Sequence, residues 1–285
     1  MRLVRAELLK IRRRQATYVL LIVLLVLMAL IYLPSGAIYQ VAGIIEFPAA
    51  YSLIKEAAFG LGGLIAIVFA AAFVGADWNW GVLRNVVARG ESRDRYLLAK
   101  AGALAIVLAL AMLLIFAVGF LFTYLQGFIW GVPVANPFRG NGLQDLVEWL
   151  VFGYPVLLQR AAIGLAVAVI VRSQLAGAIV GIVLFLVESV VTTILTVISL
   201  GSSVVSGGFD GLQQTGPEWF QFLPISIGGQ VFNSLPGSGG VTSAGDFSTL
   251  FLKPVPFVVA MIVVLVYLVV ALAVAVIALR RQEIT

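Results

Sequence analysis

The chain has no cysteine and no histidine. The first absence removes disulfides and thiolate chemistry, and the second removes the usual general base; together they strip most zinc and haem sites of their ligands. Charge is scarce as well, with Asp, Glu, Lys and Arg making up 11% of the residues. The Ser, Thr, Asp, Glu and Lys that remain form no recognisable nucleophile and base constellation, which argues against an intramembrane enzyme. No GxxxxGK(S/T) phosphate loop occurs, so no segment reads as a nucleotide site.

What is present is apolar. Hydrophobic residues make up 62% of the 285, and the mean hydropathy is +1.11. A chain of that composition has too little polar surface to cover a soluble domain, so it is expected to be all-α and polytopic, a six-helix transmembrane bundle forming one domain over 1–285. The spans are read at about 18–33, 57–76, 101–125, 151–171, 175–200 and 255–279. Pro34-Ser35-Gly36 ends the first, whose apolar run is longer than the roughly 7–15 residues of a signal-peptide core. Gly60, Gly62 and Gly63 in the second, and Gly177 with Gly181 in the fifth, offer small faces for close helix packing. Pro155 is expected to kink the fourth near its outer end, after a short amphipathic piece at 143–150.

Three stretches lie outside these runs. Residues 1–15 carry Arg2, Arg5, Lys10, Arg12, Arg13 and Arg14 against the single acid Glu7, with Val4, Leu8 and Ile11 on one helical stripe. That pattern reads as a basic helix lying at the membrane interface, or more simply as a flexible anchor that sets topology. Residues 201–254 turn polar and rich in Gly, Ser and Pro, and within them Trp219, Phe220 and Phe222 suit an outer re-entrant segment or an ordinary capped loop. Residues 77–100 form the only long basic insertion without proline.

Placement of charge orients the bundle. With both termini in the cytoplasm, the inner segments hold the N-terminal cluster together with Arg84, Arg89, Arg93, Arg95, Lys100, Arg172, Arg280 and Arg281. The outer segments then hold only Lys55, Arg139 and Lys253, as the positive-inside rule requires. The net charge of +5 is thereby assigned to topology and lipid headgroups, and a nucleic-acid partner is not expected. Arg160 alone is left over, deep in the fourth span. Counted from the Arg172-Ser173-Gln174 turn, it lies about 18 Å up one helix and Glu188 about 21 Å up the next, at about 1.5 Å per residue. Equal depth on adjacent helices predicts an intramembrane ion pair between Arg160 and Glu188, either fixing helix register or lining a path.

Within 77–100, Asp77 ends the second span, Gly81 turns the chain, Gly90 breaks a short helix, and Ser92 is placed to cap the helix leading into the third span. The pattern Asp77-x-x-x-Gly81-Val82-Leu83-Arg84, Gly90-x-Ser92-Arg93 and Leu97-Leu98-x-Lys100 resembles the loop between the second and third helices of type-2 ABC transporter permeases. Asp77 stands where Glu is more usual and Val82 where Thr is common. The resemblance extends to the basic start, the six helices, an acid in the fifth and a Pro-containing outer segment at Leu223-Pro224.

What the resemblance implies is a permease subunit of an ATP-driven transporter, chiefly of the exporting kind, that does no chemistry itself. It would pair with a second permease subunit, identical or related, in a prokaryotic plasma membrane. Its coupling residues would be Asp77, Gly81, Leu83, Arg84, Gly90, Ser92, Arg93 and Lys100, resting on an ATP-binding subunit that holds the ATP and magnesium. No resident cofactor or metal is expected in this chain. Two alternatives stand beside it: an ion-coupled secondary transporter, and a membrane anchor or assembly factor that recruits a cytosolic protein through 77–100.

Overall fold

Hydrocarbon offers the backbone no hydrogen-bond partners, so a chain this apolar must satisfy its N–H and C=O groups within helices. The computed structural model describes residues 2–39, 47, 51–79, 81–82, 88, 90, 92–131, 134, 136–138, 142–207, 219–234 and 255–281, and its regular elements are all helical. They are α1 (Arg2–Arg13), α2 (Gln15–Tyr39), and α3 (Tyr51–Lys55), which runs through a π-helical turn (Glu56–Leu61) into α4 (Gly62–Asn79). Then follow α5 (Arg93–Trp130), α6 (Gly142–Val171), α7 (Gln174–Gly207), a 3-10 turn (Trp219–Phe222), α8 (Ser226–Asn233) and α9 (Phe257–Arg281). Among the described residues five helical stretches are long and apolar enough to cross a membrane, and the bent pair α1–α2, counted as one span, makes six.

The bend between α1 and α2 is 64°. It is held from inside: Thr17 Oγ1 donates to the Ile11 carbonyl at 2.9 Å, and Tyr18 OH to the Arg12 carbonyl at 2.8 Å. These hydroxyls serve the last carbonyls of α1, which a helix end otherwise leaves without partners. Val4, Leu8 and Ile11 turn inward onto the inner core while Arg12 and Arg13 stay exposed, so α1 is the amphipathic helix and not a loose anchor.

Helix α6 is the centre of the bundle, with α4 and α9 packed along it and α7 resting on α4 and α6. Gly177 of α7 lies against Ala168 of α6, and Gly181 against Ile67 of α4, so the small-residue spacing works as a close-packing face. Beyond these turns α7 is largely exposed. About 61% of the membrane window of α6 is buried, against 6% for α7. The buried side chains divide into an inner core around Ala70, Val74, Leu97 and Leu165 and an outer one around Phe59, Phe116, Val156 and Ile227.

Several boundaries differ from the sequence expectation. Helix α2 runs through Pro34 to Tyr39, and α6 is continuous from Gly142 through Pro155, taking in the piece expected to be separate at 143–150. The reason is the one that governs all spans: a break at proline would expose more backbone to lipid than the single bond the ring removes. The second span begins at Tyr51, so Lys55, expected in an outer segment, is inside the helix and buried. Helix α5 starts at Arg93, with Ser92 Oγ accepting from the Arg95 N–H at 3.4 Å, and ends on Gly131 at φ 66°.

Candidate functional site

At the end of the bundle where α1 meets the end of α4 and the start of α5, residues spaced one helical turn apart put polar groups from three elements onto one point. Phe73 and Asp77 share a face of α4, Tyr96 and Lys100 a face of α5, and Glu7 and Lys10 a face of α1. Lys100 Nζ lies 2.5 Å from Asp77 Oδ2 and 3.6 Å from Glu7 Oε2. It also donates to the Phe73 carbonyl at 3.2 Å and sits 4.0 Å above the Phe73 ring. Tyr96 OH donates to the same Asp77 oxygen at 2.6 Å, and Lys10 pairs with Glu7. Glu7, Asp77 and Lys100 are all buried, so the charges must neutralise one another. We call this arrangement the clasp.

The clasp closes the base of 77–100, joining its first and last residues. Between them, Gly81 at φ 63° and Gly90 at φ 83° hold left-handed turns that a side chain would strain, and both are exposed. Leu83 and Arg84 lie outside the described residues. Arg93, expected to face a partner, is turned onto this chain's own last helix, where Nη1 donates to the carbonyls of Leu279 at 3.3 Å and Arg280 at 3.5 Å. Next to it Asp94 accepts from Arg280 Nε at 3.0 Å. On the other side, Gly75 of α4 lies so close to Ser173 and Gln174 that a β-carbon would collide with their backbone. The described ends of 77–100 are therefore fastened to α1 and α9, and α4 just before it lies on the α6–α7 turn.

Arg160 and Glu188 come together differently from the expected ion pair. Neither is bonded to the other; both hold the backbone of Ile225, at the start of α8. Glu188 Oε1 accepts from the N–H of Ile225 at 2.6 Å and of Ser226 at 2.8 Å, while Arg160 Nη2 donates to the Ile225 carbonyl at 3.2 Å. Arg160 Nη1 donates to the Phe59 carbonyl in the π-helical turn, and its side chain fills the space beside Gly63. Gln159 Nε2 donates to the Pro224 carbonyl at 2.6 Å, and Tyr267 OH to that of Phe222 at 3.1 Å. The segment from Phe222 to Ser226 thus reaches Arg160 and is held there through its main chain. We call this the latch.

Sequence reasoning missed Glu7, Tyr96 and Gln159 as members of these sites. A signal existed for Glu7: it falls on the stripe of Val4, Leu8 and Ile11, where an acid needs a buried partner.

The architecture is that of a multi-pass helical membrane protein. Residues 3–192, about two thirds of the chain, match the ABC-2 family transporter protein family, and the chain belongs to it. It is accordingly a membrane subunit of an ABC transporter, of a family that works with a separate ATP-binding subunit. The match includes the clasp and Glu188 but ends before the re-entrant segment and α9. No curated protein sequence matches the chain.

Proposed function

We propose that the chain is the permease of an exporter, and that residues 77–100 carry the motion of a partner ATPase into the bundle. The observation that carries this reading is the clasp together with its neighbours. A push on 77–100 from the cytoplasm is delivered at once to α4 and α5 through Asp77 and Lys100, to α1 through Glu7, and to α9 through Arg93 and Asp94. Gly81, Leu83, Arg84, Gly90 and Ser92 form the part that meets the ATPase, while Arg93 holds that part to the bundle. ATP and magnesium belong to the partner. Both termini lie in the cytoplasm of a prokaryotic cell, on the side that gathers the basic residues. A second permease subunit, identical or related, faces this one. The cargo is apolar or amphipathic, in keeping with helix surfaces dominated by Leu, Val and Phe.

The secondary-transporter reading draws no support from Arg160 and Glu188, because each holds main-chain groups, of Phe59, Ile225 and Ser226, in a structural role.

The test is a mild-detergent pull-down of the tagged chain from its native membranes, with ATPase activity assayed in the eluate. Recovery of an ATPase from the intact chain and its loss with Arg84→Glu supports the reading. An intact chain that repeatedly brings down no ATPase sinks it. Direction is tested separately, by ATP-dependent uptake of a fluorescent amphiphile into inside-out vesicles, which an importer would not give.

A further inference from the structure

An apolar cavity of about 130 Å³ lies among α2, α4 and α5, beside the bend that joins α1 to α2. Leu21 and Leu24 wall it from α2, Ala66 and Phe69 from α4, and Leu108 and Ala111 from α5. Along α2, Met28 and Tyr32 are fully buried against the bundle, whereas Tyr18, Val19 and Ile22 nearer the bend are exposed. Leu21 and Ala111 are partly exposed, so the cavity opens towards lipid. Its size is close to that of an engineered apolar cavity of about 150 Å³ that stays dry and binds benzene.

A void of this kind forfeits dispersion contacts along its walls, and in a bilayer the nearest filler is an acyl chain, which has no water to shed on entering. The only polar groups at the wall, Thr17 and Tyr18, are already engaged with the carbonyls of Ile11 and Arg12. Those same bonds tie the cavity's inner end to the end of α1. Arg12 and Arg13 are exposed there, and among the described residues neither makes an ion pair.

We infer that this cavity is a binding site for an anionic phospholipid of the leaflet in which α1 lies, one acyl chain filling the gap and the phosphate resting on Arg12 and Arg13. Because any lipid chain could supply the packing, selectivity lies in the headgroup. The bound lipid wedges α2 against the bundle beside the bend.

The experiment compares unfolding midpoints of the purified chain in neutral detergent with added phosphatidylglycerol or with phosphatidylcholine of the same chains. A larger upward shift with phosphatidylglycerol is expected. Arg12→Gln with Arg13→Gln should bring the two lipids level, and Ala111→Phe, which fills the cavity, should abolish the shift from both. Should Ala111→Phe fail to fold, the intact chain decides: phosphatidylglycerol carrying a photoreactive group on its acyl chain should label residues 20–24 or 58–66. Equal shifts from both lipids, or labelling spread evenly along α7, overturns the inference.

Discussion

Buried charge is handled in opposite ways at the two polar sites of this bundle. In the clasp, Lys100 and Lys10 together neutralise Asp77 and Glu7, so side chain answers side chain across three helices. In the latch, Arg160 and Glu188 answer main-chain groups, the carbonyls of Phe59 and Ile225 and the N–H groups of Ile225 and Ser226. The first arrangement recognises residues and the second recognises a conformation. A clasp therefore moves as a unit with the helices that carry it. A latch holds only while the segment from Leu223 to Ser226 keeps its turn.

The two are distinguished most sharply by Lys100→Met, expected to have the largest effect. It leaves the buried Asp77 carboxylate without its cation while Glu7 keeps only Lys10, at about 3–5 kcal/mol, and the readout is the folded yield together with the unfolding midpoint in detergent. Adding Asp77→Asn should restore part of the loss, since the stranded charge is then gone. Next comes Arg160→Met, expected at about 2–3 kcal/mol for charged hydrogen bonds broken at buried carbonyls. Exchanging the pair, as Arg160→Glu with Glu188→Arg, should fold no better than the worse single variant. A carboxylate would then face carbonyls and a guanidinium would face N–H groups. Rescue by that exchange would make the latch an ion pair and dissolve the contrast.

Smaller effects refine the clasp. Tyr96→Phe removes one hydrogen bond to Asp77 and should cost about 0.5–1.5 kcal/mol, read from the same melting curves. Smallest is Asp94→Asn, since the pair with Arg280 is largely open to solvent. Its effect should vanish into the scatter of the intact chain's midpoint, and a loss as large as that of Tyr96→Phe would show that the tie to α9 carries load.

The spans were legible because twenty apolar residues leave few alternatives, and so was the Ser92 cap, because a serine before a helical run has one common use. The equal depth of Arg160 and Glu188 could also be counted from the turn. Their shared partner could not, because it is backbone, and Ile225 offers no side-chain signal that its N–H and C=O will be gripped. Hydropathy also failed to rank the helices by burial. Lipid-facing and protein-facing surfaces are equally apolar, so α6 and α7 read alike although one is largely enclosed and the other almost bare.

That bareness has a consequence for how the sequence is free to change. Helix α7 touches its own chain through Gly177 and Gly181 at one level and through Glu188 at another. Val183, Leu186, Val190, Ile194 and Val197 are exposed along the stretch that includes the second of these contacts. Exchanging one apolar residue for another at these positions leaves the fold of the single chain untouched. Selection acting on that face is therefore selection by whatever lies outside it, lipid or protein, and α7 is the helix on which such a history would be written.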